Sequence, residues 1–215
     1  MNSVCPLCQQ PHSQHFCADK RRAYFQCMQC FLVFADRTTL LTAEQEKAQY
    51  DLHQNQLDDP GYRKFLSRLA LPLLSVLRPE QNTGLDFGCG PGPLLAHILR
   101  EAGKQMQIWD PFYAPEPTSL QQKYHFVSCT EAIEHFINPA KEWHLWLNLL
   151  LPGGVLALMT KRYIDQSSFR HWHYKNDPTH ISFFHQRTFE FLAQRDKLDL
   201  EFPTDDVVIF KKRNT

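Results

Sequence analysis

Gly88, Cys89, Gly90, Pro91 and Gly92 stand between an apolar run, Thr83 to Phe87, and an amphipathic run, Pro93 to Ala102. An order of strand, glycine turn and helix opens a βαβ unit, and so commits the chain to a mainly parallel sheet with helices packed on it. Glycines at 88, 90 and 92 let the backbone turn sharply and come close to a ligand. Their spacing is Gly-x-Gly-x-Gly, not the Gly-x-Gly-x-x-Gly of dinucleotide binders. Pro91 and Pro93 also remove N–H groups that a pyrophosphate would use at a helix start. Asp86 ends the strand with a carboxylate, which repels phosphate and suits a cation. After a second strand, Met106 to Trp109, comes Asp110, where an acidic side chain can accept hydrogen bonds from both hydroxyls of a ribose. An ordinary strand–helix turn would account for the glycines, but not for the two carboxylates.

The βαβ rhythm continues to the C-terminus. Strands are expected at Tyr124 to Cys129 and Val155 to Met159, and helices from Asn138-Pro139 and from Thr188 to Arg195. Runs near Leu198 to Phe202 and Val207 to Lys211 close the chain as an antiparallel edge pair. Upstream, Asp59-Pro60-Gly61 opens a helix with Asp59 as its cap. Tyr62, Phe65, Leu66 and Leu69 share one face of it, and Pro72 should kink or end it. The 215 residues allow one average α/β domain and a small appendage. We divide them into 1–36, 37–80 and 81–215, the middle part being a helical linker and cofactor-covering segment. Tyr50, His53 and Asn55 either fold over a cofactor or form a plain linker.

Residues 1–36 hold five of the seven cysteines. Cys5-Pro6-Leu7-Cys8 and Cys27-Met28-Gln29-Cys30 are two Cys-x-x-Cys knuckles. Each brings two thiolates together, and the pair completes a tetrahedral sulfur shell for zinc; iron has the same spacing. His12, His15 and Cys17 are nearby substitutes. Four protein ligands leave no open position, so the site is structural, and metal would supply much of the module's folding energy. No apolar run approaches the roughly 18–20 residues of a membrane helix, and Met1-Asn2-Ser3-Val4 lacks the basic start of a secretory signal. A reducing, cytoplasmic setting is the expectation, with thiols rather than disulfides. Cys89 and Cys129 read as small packing residues.

Five ordered motifs resemble the class I S-adenosylmethionine-dependent methyltransferases, over about residues 50–210. Asp86-Phe87-Gly88-Cys89-Gly90-Pro91-Gly92 is similar to their first motif, and Trp109-Asp110-Pro111-Phe112 to their acidic second-strand motif. Thr130-Glu131-Ala132-Ile133-Glu134-His135-Phe136, followed by Asn138-Pro139, resembles the segment after their fourth strand. Leu151-Pro152-Gly153-Gly154 matches the turn before the fifth, and Asp177-Pro178-Thr179-His180-Ile181 a segment beyond it. The resemblance implies a Rossmann-like, seven-stranded α/β sheet with helices on both faces, here with a small zinc-ribbon-like module in front. It implies that Gly88 and Gly90 lie against the methionine part of the cofactor and Asp86 near its amino group, with Gly92 also among the cofactor-binding residues. It also implies that Asp110 holds the ribose, Phe112 covers the adenine, and Cys129 and Thr130 flank the other side. His125 stands where the family often has an acidic residue.

Methyl transfer is an in-line displacement that chiefly needs alignment and exclusion of water; a base is required only where the acceptor must lose a proton. Glu131, Glu134 and His135 would share one face of a helix. Two carboxylates and an imidazole could hold Mg²⁺, with His180 as a fourth ligand. His180 could instead act as a base without metal, or the group could be structural. Glu134, His135 and His180 are therefore the candidate catalytic residues. The run Phe169 to Lys175 forms either an acceptor wall or a scaffold loop. A small-molecule acceptor is the leading expectation. The alternatives are RNA or protein acceptors read by the zinc module, and a cofactor-binding protein without catalysis. Zero net charge argues against nucleic acid, while Lys20-Arg21-Arg22 offers a short basic cluster for it. A nicotinamide oxidoreductase is disfavoured by the glycine spacing. Oligomeric state is not legible in the sequence.

Overall fold

The computed structural model describes residues 4–52 and 58–214; His53 and Asn55 lie outside them. Two sheets organise the chain. The larger has six strands in the order β5-β4-β6-β7-β10-β9. These are β4 (Thr83–Phe87), β5 (Gln105–Trp109), β6 (Tyr124–Thr130), β7 (Leu150–Met159), β9 (Leu198–Glu201) and β10 (Val207–Lys212). β4 runs parallel to β5 and β6, and β6 to β7; β10 is antiparallel to both β7 and β9. Only β9 of the closing pair is therefore an edge.

Alternation along the strands separates two cores. Leu85, Phe87, Val127, Leu156, Leu158, Val208 and Phe210 face α4 (Pro139–Leu149) and α6 (Gln186–Asp196), whose Trp143, Trp146, Phe189 and Leu192 are fully buried. Phe126, Val155, Ala157, Met159, Val207 and Ile209 face α2 (Pro60–Val76) and α3 (Leu94–Glu101). A sheet covered on both faces accounts for the near-continuous apolar runs in the sequence. Asp59 caps α2 as expected, accepting from the N–H groups of Gly61 and Tyr62. The helix does not end at Pro72 but runs on to Val76.

Among the described residues the sheet has six strands where seven were expected. From Asp110 the chain returns through one short 3-10 turn, Pro117–Gln121, straight to β6, so β5 forms the edge. The stretch between Asp110 and Tyr124 is too short for a further helix and strand, since a parallel crossover takes a dozen or more residues by itself.

The smaller sheet is antiparallel, in the order β1-β2-β3-β8: β1 (Ser13–Ala18), β2 (Ala23–Cys27), β3 (Val33–Ala35) and β8 (Ser182–Phe183). Its first three strands are the N-terminal ribbon; the fourth comes from the excursion between β7 and α6, which also carries α5 (Gln166–His171). Phe16, Tyr24 and Val33 of the ribbon share one core with Tyr163, Phe169, Tyr174 and Phe183 of that excursion. The ribbon is thus built into the C-terminal part rather than hung from it. Among the described residues no helix is long and apolar enough to cross a membrane.

Candidate functional site

β4 feeds β5 on one side, and β5 then feeds β6 on the other side of β4. The strand order reverses there, and the crevice beyond the carboxyl ends of such strands is where open α/β sheets take ligands. A cleft of about 1000 Å³ opens at that point, at the upper end of the size range of small-molecule sites. Gly88, Cys89, Gly90 and Pro91 form its floor, Trp109 to Tyr113 one wall, and Thr130, Glu131 and Ala132 another. The first turns of α2 bring Tyr62, Phe65 and Leu66, and α1 (Ala43–Tyr50) lays Glu46 and Tyr50 across the mouth. Tyr113 donates to Asp51 (2.6 Å) and so ties the end of α1 to the loop after β5.

The glycine loop has the conformation its composition predicts. Gly88 has φ +76°, and a Cβ there would come within 2.7 Å of Ala132. Gly90 has φ +63°, and a Cβ there would meet nothing within 4 Å: its open side faces the cleft. Asp110 latches this loop. One carboxylate oxygen accepts from Gly90 N–H (3.0 Å), the other from Phe112 N–H (2.9 Å) and Tyr113 N–H (3.1 Å). Asp86 lies below the loop rather than on the cleft wall, buried and accepting from the Ser128 hydroxyl (2.9 Å). Burial, against that hydrogen bond, raises its pKa to about 6. Gly92 and Cys129 are likewise buried behind the wall, whereas Phe112 and Thr130 are on it.

Glu131, Glu134 and His135 do not share a helix face. Glu131 sits in the left-handed region at φ +47°, and the turn that follows, Ile133–His135, is 3-10 rather than α. A non-glycine residue held there is strained by about 1–3 kcal/mol. The turn parts the two carboxylates. Glu134 is fully buried with one hydrogen bond on each oxygen, accepting from the Thr160 hydroxyl (3.0 Å) and from the Tyr174 hydroxyl. Glu131 lines the cleft, and burial together with the nearby Glu134 pushes its pKa up to about 9.

Ligand-type atoms of Glu134, His135 and His180 lie within 4.8 Å of one another; Glu131 is outside that group. The rings of His135 and His180 are 4.7 Å apart. His135 Nδ1 faces Thr179 O (3.2 Å) and His180 Nδ1 faces Tyr174 O (2.7 Å). A carbonyl only accepts, so each Nδ1 carries a proton, and His180 Nε2 lies 3.9 Å from Asp177 Oδ2. Burial lowers the pKa of His135 to about 4, so its ring is neutral at pH 7.

Three polar atoms of cleft-lining residues are buried without a partner: Thr130 Oγ1, Glu131 Oε1 and Glu142 Oε2. Glu46, Asp110, Glu131, Glu142 and Asp177 line the cleft, and among the described lining residues only Lys141 carries a fixed positive charge. Glu46, Tyr62, Phe65, Glu142 and Lys141 also line the cleft, and no sequence motif marks them as site residues. Tyr62 and Phe65 stand in the first turns of α2 and pack partly against the core of Leu66 and Leu69, so their sequence signal is that of an apolar helix face.

The four ribbon cysteines also converge. Cys5 Sγ and Cys30 Sγ are 3.5 Å apart, Cys8 Sγ and Cys27 Sγ 3.4 Å, and all four lie within 4.8 Å of one another. Zn–S bonds of about 2.3 Å in a tetrahedron put sulfurs about 3.8 Å apart.

A protein family described as "Methyltransferase domain" matches residues 53–200. The chain belongs to this family. The methyltransferase also shares its fold with solved structures of low identity. An O-methyltransferase family protein from Burkholderia thailandensis is 15% identical with a TM-score of 0.55, over 83% of this chain and 66% of that one. The mitomycin 7-O-methyltransferase is 13% identical, TM-score 0.52, over 80% and 67%. Magnesium protoporphyrin IX methyltransferase from Synechocystis PCC 6803, solved with bound SAH, is 12% identical, TM-score 0.50, over 79% and 94%. No curated protein matches the sequence.

Proposed function

We propose that the cleft binds S-adenosylmethionine and that the methyltransferase passes the methyl group to a small-molecule acceptor without net negative charge. The observation that carries this reading is the charge of the cleft. Its walls hold five carboxyl groups, of which Glu131 is protonated near neutral pH until a cation meets it, and one lysine, with two buried carboxyl oxygens unpartnered. Buried acceptors of this kind call for a ligand rich in donors and positive charge, and a phosphorylated or carboxylate acceptor would meet repulsion.

The residues fit the cofactor. Gly90 leaves an open cradle, and Asp110 still has a lone pair free on the oxygen bonded to Gly90 N–H, enough for a ribose hydroxyl. Phe112 and Tyr50, with ring centroids 5.9 Å apart, supply an aromatic wall for adenine. Glu131 and the Tyr62 hydroxyl face the cationic end; Asp86 acts on it through the loop, not by contact. S-adenosylmethionine supplies a methyl group already activated on a sulfonium. What remains for the protein is to align the acceptor, exclude water and take a proton. His135, neutral and with Nε2 as acceptor, does the last from the acceptor side, with His180 beside it.

The grouping of Glu134, His135 and His180 favours a second reading of that end, in which the three hold a divalent cation that orients acceptor oxygens. Two imidazoles and one carboxylate suit a transition ion better than Mg²⁺, and Glu131 is not in the set. The ribbon thiols would hold structural zinc. Calorimetry with S-adenosylhomocysteine and with NAD tests the cofactor: binding of the first alone is expected, and binding of NAD in its place would end the proposal. Activation of transfer by added Mn²⁺ would select the second reading.

A further inference from the structure

Lys20-Arg21-Arg22 is a basic motif that the proposed reaction leaves unused, and both of its arginines bond the backbone of another loop. It forms the turn between β1 and β2, closed by Asp19, whose carboxylate accepts from the N–H groups of Arg21 (2.8 Å) and Arg22 (3.1 Å). Arg22 is buried, at 8% exposure. Its guanidinium donates to three carbonyls of the excursion after β7: Lys175 O (2.8 Å), Asp177 O (2.9 Å) and Pro178 O (3.2 Å). Arg21 donates to the carbonyl between them, Asn176 O (2.7 Å). In return Lys175 donates its ammonium to Asp19 (2.9 Å), and Tyr24 bridges Asp19 and Arg22. Four successive carbonyls of one loop are thus held by two side chains of another. A guanidinium offers five donors in a rigid fork, and few other side chains could do this.

The clasped residues lie between the two carbonyls that set the acceptor histidines. Tyr174 O, just before the clasp, holds His180 Nδ1; Thr179 O, just after it, faces His135 Nδ1. Tyr174 also carries the hydroxyl that donates to Glu134. We infer that the N-terminal ribbon is the positioning element of the acceptor half of the cleft. Arg22, grasping the 175–178 backbone, fixes the orientation and tautomer of His135 and His180. The inference rests on the reading of these histidines as acceptor groups. It gives the ribbon a task inside the enzyme instead of one as a reader of RNA.

The test uses the full metal-loaded chain, its histidines labelled with ¹⁵N, as wild type, Arg22→Gln, Arg22→Lys and Arg21→Ala. The wild type should show two protected Nδ1–H signals, from His135 and His180. In Arg22→Gln both should exchange about tenfold faster or vanish, while S-adenosylhomocysteine affinity stays within about threefold and the metal content is unchanged. Arg22→Lys, with one donor group restored, should fall between. Arg21→Ala removes one surface contact and keeps the inference testable if Arg22→Gln does not fold; a smaller acceleration at the same two signals is expected. Unchanged exchange in every variant, or loss of cofactor binding in step with loss of the signals, would overturn the inference. A His180→Ala enzyme with wild-type transfer rates would instead remove the acceptor reading beneath it, leaving the wild-type signals as they are.

Discussion

Asp110 holds three backbone N–H groups on its carboxylate before any ligand arrives, so its loss acts twice, on the loop and on the ribose. Asp110→Ala should weaken S-adenosylhomocysteine by about tenfold or more, since a charge-assisted hydrogen bond is worth about 1.5–3 kcal/mol. Equal affinity by calorimetry would take Asp110 out of the ribose site. Glu131 gives a pH signature. Its pKa of about 9 in the free protein, set by burial and by Glu134, means that the carboxyl is mostly protonated at pH 7.5. A cationic ligand placed against it lowers that pKa, so binding releases a proton. Affinity for S-adenosylmethionine should then rise with pH up to about 9. Calorimetry at pH 7.5 in buffers of different ionisation enthalpy should report up to about one proton released, and Glu131→Gln should abolish it. A buffer-independent enthalpy would place the cationic end elsewhere.

At the scale of elements, what the sequence disclosed and what it hid follow one rule. Signals confined to neighbouring residues were legible. The strand Thr83–Phe87 with its glycine turn has the expected bounds, and the Asp59 cap of α2 is where Asp-Pro-Gly put it. That cap should contribute about 1 kcal/mol. Denaturant unfolding of Asp59→Ala should show a loss of this size with an unchanged m-value; no loss would mean that the packing of Leu66, Leu69 and Leu73 alone defines the helix start. Features that depend on distant partners were not legible. Two residues, Ser182 and Phe183, complete the ribbon sheet by pairing with β3, too short a strand to carry any periodicity. The spacing of Glu131, Glu134 and His135 mimics an α-helical face, but β6 hands over to a 3-10 turn instead. Pro72 reads as a helix breaker, yet α2 passes through it with its buried face, Leu69, Ala70 and Leu73, packed against the sheet; tertiary packing outweighs one missing hydrogen bond.

At the scale of the molecule, the sequence suggests a ribbon joined to an enzyme, and the packing suggests something more unified. Cys5, Leu7, Cys27, Cys30 and Leu32 lie in the same core as Leu85, Phe87 and Trp146, and Ala140 N–H at the start of α4 donates to Pro6 O (3.3 Å). A metal bound by the four thiols would therefore tie down one side of the sheet core as well as the ribbon. A chain of this size should then hold one zinc and unfold in one calorimetric transition, not two. Chelation of the metal, if it removes several kcal/mol of ligation energy, should lower the midpoint by about 10 °C or more, because each kcal/mol moves a domain of this size by about 2–4 °C. Damage should reach the acceptor half first, through the Arg22 clasp, and cofactor affinity second, through the shared core. Two separate transitions, with the lower one alone sensitive to chelator, would show that ribbon and sheet fold independently despite their common core.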